Sequence, residues 1–240
     1  MNSHPYNPKL GSYSQVAKEY YDSSLHPTCA NFRDLSLSFI ASRLVDWPFP
    51  ESSERMKLLE TGAGLTCFDD PSINFKSDRF DITLQDSSAE MLQHSRDFFD
   101  NNAHFIISDA RSIPVRDDEF DLVVSSLADP YNDEFFWKEV ARVTCDGGYW
   151  LLTVPSHDWA KEFRSTDQAQ VAEFFLANGE IIGVPSLTYD VGNLISNIGK
   201  FGPRLIKYEA KFTSMVTGPV SQKIAFTKTV PVIDCFLFKV

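Results

Sequence analysis

The stretch Lys57–Thr66, Lys-Leu-Leu-Glu-Thr-Gly-Ala-Gly-Leu-Thr, constrains what this chain can fold into more than any other. A short apolar run closes on an acidic residue, and Gly-x-Gly comes directly after it. A parallel strand that stops at a nucleotide-sized ligand has this form. The glycines turn the backbone tightly and let it approach the ligand with no Cβ in between. Glu60, at the carboxyl end of the run, is placed to accept hydrogen bonds from polar groups of that ligand. Gly-x-Gly also occurs in ordinary loops, so its weight depends on companion motifs at set intervals downstream.

Further strand-like runs are present: Phe80–Gln85 closing on Asp86, His104–Ser108 closing on Asp109-Ala110, Phe120–Ser126 leading to Asp129-Pro130-Tyr131-Asn132, and Tyr149–Val154 after an expected turn at Asp146-Gly147-Gly148. Helical spacing of apolar residues covers about 29–45 and about 88–99, where a serine cap precedes Glu90. It recurs over Glu134–Val143, with Phe135, Phe136, Val140 and Val143 as the expected buried stripe. A short helix is expected from Ser14, with that serine as its cap. Residues 1–12 read as a loose arm, and Trp47-Pro48-Phe49-Pro50 as the stop of the long helix. Between Leu65 and Phe80 parallel strands require a crossover, and Asp69-Asp70-Pro71-Ser72 points to a short, irregular helix. Beyond residue 156 the pattern changes to a hairpin over 172–190 turning at Asn178-Gly179, a short helix over about 191–200, and two late strands near 204–213 and 232–240.

This alternation predicts an α/β fold: a doubly wound, mostly parallel, seven-stranded sheet, helices on both faces, closed by an antiparallel C-terminal strand pair. The 240 residues suit a single domain. Within it, 1–50 form a helical cap, 57–155 the ligand-binding core, and 156–240 a substrate-side hairpin with the closing strands.

Composition narrows the function classes. A formal net charge of −11 with no Lys/Arg-rich run makes nucleic acid an unfavourable partner. No apolar run approaches the roughly 20 residues of a membrane span, and Met1–Tyr6 lacks the basic flank and apolar core of a signal peptide. The cysteines, Cys29, Cys67, Cys145 and Cys235, are far apart and form no C-x-x-C pair, which points to reduced thiols in the cytoplasm and to no metal site.

Each of the first four strands ends on polar or small groups that can face one crevice: Glu60 and Gly62, Asp86, Asp109, and Ser125 to Asp129. In open α/β sheets, ligands lie outside the carboxyl ends of the strands. A carboxylate just past the second strand can accept both hydroxyls of a ribose, and Asp86 stands there, equally able to cap the next helix. Asp109 suits an exocyclic amine.

In these motifs the chain resembles the class I S-adenosylmethionine (SAM)-dependent methyltransferases of the small-molecule type, over roughly residues 14–155. The matching features are Glu60-Thr61-Gly62-Ala63-Gly64; Asp86 with Ser87, Met91 and Leu92; Asp109-Ala110; Ile113-Pro114-Val115; Phe120-Asp121-Leu122-Val123; and Glu139, Arg142 and Val143 followed by Gly147-Gly148. The resemblance implies SAM as cofactor, with S-adenosylhomocysteine as product. It places Glu60, Gly62, Ala63, Gly64, Asp86, Ser87, Met91, Asp109, Ala110, Ser125 and, from an aromatic N-terminal lid, Tyr20 around that cofactor. Asp129 as base or amine ligand, Tyr131 as an aromatic wall and His157 after the fifth strand are the candidates on the acceptor side. The expected partner is a small-molecule acceptor, with a homodimer or protein partner open. The chain departs from the pattern at Thr66, where a third glycine is usual, and in the 26-residue interval from Glu60 to Asp86. Two other readings stay open: a fold that lost its cofactor and binds a partner, and, from Asp129-Pro130-Tyr131, a nucleobase or protein methyltransferase.

Overall fold

A computed structural model describes residues 9–45, 47, 55–69, 79–99, 103–164 and 170–240. The elements in order are β1 (Lys9–Leu10), α1 (Tyr13–Val16), α2 (Pro27–Leu44), β2 (Met56–Thr61), β3 (Phe80–Asp86), α3 (Ala89–Phe99), β4 (His104–Ile107), β5 (Phe120–Ser125), α4 (Glu134–Val143), β6 (Thr144–Pro155), α5 (His157–Lys161), β7 (Val171–Phe175), β8 (Ile181–Pro185), α6 (Val191–Gly199), β9 (Arg204–Lys211), α7 (Gln222–Ala225) and β10 (Ile233–Lys239).

Seven strands make one sheet in the order β4-β3-β2-β5-β6-β10-β9. The first five are mutually parallel, and β10 runs antiparallel to both β6 and β9. Numbered within the sheet, this is 3-2-1-4-5-7-6. From β2 the chain winds outward to β3 and β4, then returns to the other side of β2 as β5. That reversal leaves a crevice at the carboxyl ends of β2 and β5.

Strand side chains alternate between two cores, as the pleat requires. Leu58, Leu122, Val124, Leu151 and Cys235 face one apolar cluster with Phe32, Leu35, Phe39, Ile40 and Leu44 of α2 and Leu92 of α3. Leu59, Val123, Trp150, Leu152 and Phe236 face the other, with Phe136, Trp137, Val140 and Val143 of α4 and Leu194 and Ile198 of α6. Both faces of the central strands β2, β5 and β6 are therefore buried, which is why stretches such as Leu58-Leu59 and Leu122-Val123-Val124 are apolar without alternation.

The hairpin β7–β8 forms as expected, with Gly179 at its turn (φ +87°). It does not join the main sheet: β1 adds to β8 in parallel, making a second, three-stranded sheet. So Lys9 and Leu10, expected in a loose arm, are paired backbone. Two residues cannot announce a strand by periodicity.

Other local expectations are corrected. Ser12, not Ser14, occupies the N-cap of α1; the Ser14 hydroxyl is instead within 2.8 Å of both Ser88 Oγ and Glu90 Oε2. Phe135 is 63% exposed, and the buried face of α4 runs through Phe136, Trp137, Val140 and Val143. The glycines at 147 and 148 lie inside the twelve-residue β6 as an irregularity in its pairing with β5. Of the segment expected to cross from β2 to β3, the described part holds a 3-10 turn at Cys67–Asp69. Residues 70–78, like the Pro48-Phe49-Pro50 stop, lie outside the described residues.

Candidate active site

At the switch point lies a cavity of about 590 Å³. It gathers Glu60, Gly62, Ala63, Asp86, Ser87, Met91, Asp109, Ala110 and Tyr20 from the expected cofactor set, and Tyr131 from the acceptor set. The loop that follows β2 forms part of its lining. Glu60, 1% exposed, accepts from the Thr66 hydroxyl (2.5 Å) and the Cys67 N–H (3.0 Å). Burial pushes its carboxyl up to about 7, against the opposing pull of those two hydrogen bonds. The Thr66 N–H donates to Ser95 Oγ (2.8 Å), and the Ser95 hydroxyl donates to the Gly64 carbonyl (2.5 Å). Thr66 thus fills the third-glycine position with a hydroxyl that locks the loop onto Glu60. Both oxygens of Glu60, expected to meet the ligand, hold the loop.

Gly62 (φ +60°) needs its missing Cβ twice over. The conformation is left-handed, and an added Cβ would lie 2.1 Å from Tyr131 Oη. The Tyr131 hydroxyl donates to the Thr61 carbonyl (2.9 Å), and its ring stands edge-on to Phe136. Gly64 (φ +48°), just outside the cavity lining, meets Tyr21, whose hydroxyl accepts from the Leu65 N–H (2.6 Å).

Asp86 accepts from the Ser88 N–H (2.8 Å) and the Gly64 N–H (3.0 Å), and burial raises its carboxyl above the ordinary range. It therefore joins the glycine loop to the start of α3 while still lining the cavity. Gln85 links Gly62 N–H to the Ser108 carbonyl. Asp109 presents an open side chain at the rim, with Oδ1 accepting from the Arg111 N–H (2.9 Å). The Glu139 and Arg142 pair seen in the sequence shapes this rim. Arg142 donates to the Ile113 and Val115 carbonyls and to Glu139, which accepts from the Ile113 N–H.

The acceptor-side candidates separate. Asp129 lies in a second cavity of about 270 Å³, which shares Tyr13, Tyr20 and Leu127 with the first. Its carboxylate is buried and accepts from the Ser186 hydroxyl, and Arg164 donates to both the Ser186 carbonyl and hydroxyl (2.8 Å each). Burial pushes Asp129 up to about 6, opposed by Ser186 and by the Arg164 charge. His157 lines neither cavity; its Nδ1 is 3.3 Å from Thr188 Oγ1. Ser125 lines neither: its hydroxyl is buried between Thr61 Oγ1 (2.8 Å) and Trp150 Nε1 (3.0 Å), while Ser126 lines the large cavity. Tyr21 is signalled only as part of the aromatic N-terminal segment expected to form a lid, and no motif or spacing singles out Arg33, Arg164 or Ser186 as site residues. Tyr21 and Arg33 line the large cavity, with the Arg33 guanidinium over the rings of Tyr20 and Tyr21. Arg164 and Ser186 line the small one.

Residues 59–152 match the methyltransferase domain family. The core of this chain is a class I SAM-dependent methyltransferase domain. Solved structures with the same fold include a chain from the complex of the Haloferax volcanii Trm112 methyltransferase activator with a presumed methyltransferase, at 16% identity, covering 95% of this chain and 97% of that one with a TM-score of 0.64. A SAM-dependent methyltransferase from Clostridium acetobutylicum matches at 13% identity over 95% and 98% with a TM-score of 0.62. One from Mesorhizobium loti matches at 15% over 85% and 100%, with a TM-score of 0.59. Among curated protein sequences, none matches the chain.

The methyltransferase family uses SAM, and the large cavity fits it. Its volume lies within the roughly 300–1,000 Å³ of small-molecule sites. The Asp86 carboxylate retains lone pairs beyond the two amides it accepts. Among the described residues no group of His, Cys, Asp and Glu could hold a metal ion, and no helix is long and apolar enough to cross a membrane.

Proposed function

We propose that this methyltransferase passes the methyl group of SAM to a small-molecule acceptor held in the second cavity. One observation carries the reading: the two cavities meet at Tyr13, Tyr20 and Leu127, and the second is a compact chamber walled partly by the N-terminal segment and by β7. When bound, SAM supplies an electrophilic methyl carbon on its sulfonium. The protein's work is to align the acceptor, keep water out and take up a proton where the acceptor carries one. Asp86 would hold the ribose diol, Asp109 and Ala110 the adenine, and Gly62 and Ala63 the methionyl part, with Arg33 of the same lining as a cation for its carboxylate. Asp129, buried at the junction with a carboxyl near 6, is the candidate base.

The nucleobase reading loses its support. The Tyr131 ring, which would stack on a base, is packed on Phe136 and tied to Thr61. On the reading we favour, 1–240 acts as a single unit, with 1–50 capping the 57–155 core and 156–240 closing the acceptor side. Its four free cysteines support a cytoplasmic setting. The Haloferax complex makes a methyltransferase activator protein a candidate partner, testable by co-purification.

Calorimetric titration with SAM and S-adenosylhomocysteine, repeated on Asp86→Ala, tests the cofactor assignment. Binding in the wild type should weaken more than tenfold in the variant, whose folding is checked by its urea transition. No binding by folded wild type would mean that Tyr21 and Tyr131 close the loop and that the fold serves another purpose.

A further inference from the structure

The second cavity differs at its two ends. Where it meets the large cavity it is lined by Tyr13, Tyr20 and Leu127. The buried Asp129 belongs to that end, since its charge acts on both tyrosines. Buried apolar side chains, among them Phe32, Trp159 and Phe174, make up the walls. A lining residue that solvent also reaches marks the opening. Here those residues are Leu25, Phe163 and Phe175, which are 40%, 37% and 57% exposed.

Large apolar side chains exposed one at a time are ordinary on a protein surface. These three are not scattered. They come from the approach to α2, the residues after α5 and the end of β7, and the fold gathers them at one mouth. None of the exposed large apolar side chains among the described residues lines the large cavity. An apolar rim therefore belongs to the acceptor's cavity and not to the cofactor's, and it fits something the acceptor carries that SAM does not. Glu173 and Lys223 also line this cavity, and neither is buried. Their charged ends stay hydrated while their methylene stems add apolar surface.

Size completes the argument. An apolar cavity of roughly 150 Å³ accommodates benzene, so a volume of about 270 Å³ corresponds to about eleven non-hydrogen atoms. A larger acceptor that reaches Asp129 must extend past the mouth. Over Leu25, Phe163 and Phe175, an apolar extension gains by leaving water. The formal net charge of −11 disfavours the other apolar occupant of such a rim, an anionic membrane surface.

Resting on the reading of the second cavity as the acceptor site, we propose that the acceptor is an amphiphile. Its polar end lies at the junction with the large cavity, and its apolar chain leaves through the mouth over Leu25, Phe163 and Phe175. The polar end takes the methyl carbon from the sulfonium, whose bonding pair stays on sulfur as S-adenosylhomocysteine, and any proton it loses passes to Asp129.

The series 4-ethyl-, 4-butyl-, 4-hexyl- and 4-octylphenol tests this. Each is titrated calorimetrically into the full chain, below its aggregation concentration, with and without saturating S-adenosylhomocysteine. Affinity should rise about fourfold per methylene up to butyl, where the chamber fills, and continue at about twofold per methylene through octyl on the half-exposed mouth. Phe175→Ser should weaken 4-octylphenol about threefold to tenfold and leave 4-ethylphenol within twofold. Phe135→Ser, at an exposed site that lines neither cavity, should change neither. An affinity that levels off at butyl overturns the proposal, as does no binding of any of the four. So do equal losses for long and short chains in Phe175→Ser, or a matching loss in Phe135→Ser. Sedimentation with phosphatidylglycerol vesicles that Phe175→Ser abolishes would assign the mouth to a membrane and overturn it too. The series on wild type decides even if a variant folds poorly. SAM affinity of the same preparation is read separately. A plateau at butyl with SAM bound sinks this inference and leaves the second cavity as the acceptor site. Graded binding through octyl without SAM binding keeps the apolar mouth as a ligand site and removes the methyl-transfer reading.

Discussion

Thr66→Val removes one hydroxyl and nearly nothing else, and it probes the residue that departs most from the glycine-loop pattern. In the native protein that hydroxyl donates to Glu60 Oε2 at 2.5 Å and accepts from the Phe68 N–H at 3.2 Å, with Thr66 itself 3% exposed. A hydrogen bond to a charged group contributes about 1.5–3 kcal/mol and a neutral one about 0.5–1.5 kcal/mol. The loss therefore depends on whether Glu60 is ionised. Its folded carboxyl lies at about 7, above an unfolded value of about 4.3. Between those two values the folded state binds more protons than the unfolded one, so stability falls as pH rises through that window. Above it, Glu60 is a buried carboxylate that depends on Thr66. Urea unfolding followed by circular dichroism should show Thr66→Val destabilised by about 2–3 kcal/mol at pH 8.5 but only about 1 kcal/mol at pH 5.5. Equal losses at the two pH values would refute the idea that Thr66 serves an ionisable Glu60. No loss at either would show that the loop is not held by this bond.

Gly62→Ala should cost about 1–3 kcal/mol in the same assay and weaken SAM, because φ is +60° and the new methyl meets Tyr131 Oη. Unchanged stability would mean that the Tyr131 ring moves freely. Asp133→Ala should lower stability by about 1–2 kcal/mol, since this side chain caps α4 by accepting from the Phe135 and Phe136 N–H groups and also pairs with Arg111 at 2.8 Å. A thermal transition within a degree of wild type would show that the cap contributes nothing. For Asp129, the carboxyl near 6 gives a pH dependence of turnover: once an acceptor is found, the rate should rise with pH through about 6 and level off as the base ionises. A rate independent of pH between 5 and 7 would remove Asp129 as the base.

The parallel core was legible from residue types alone because its central strands are buried on both faces and end on the ligand side. Lys57–Glu60, Phe80–Gln85 and Phe120–Ser125 are apolar-rich runs with polar ends, and the same physics that buries them puts Gly62, Asp86 and Asp109 at one crevice. What stayed hidden is what distant segments do to each other. Nothing near Ser125 signals that Thr61 and Trp150 use up its hydroxyl. Nothing near Asp129 signals that Ser186, 57 residues on, bonds to it. The two-residue β1 has no period to read; it exists because β8 offers an edge. The sequence by itself determined the sheet, its order of winding and the cofactor end of the site, through patterns local to each strand. Only the tertiary structure decided that Asp129 and Tyr131, two residues apart, serve different cavities. A side chain's neighbours across the fold, not its place in a motif, set whether its polar atoms remain free for a ligand.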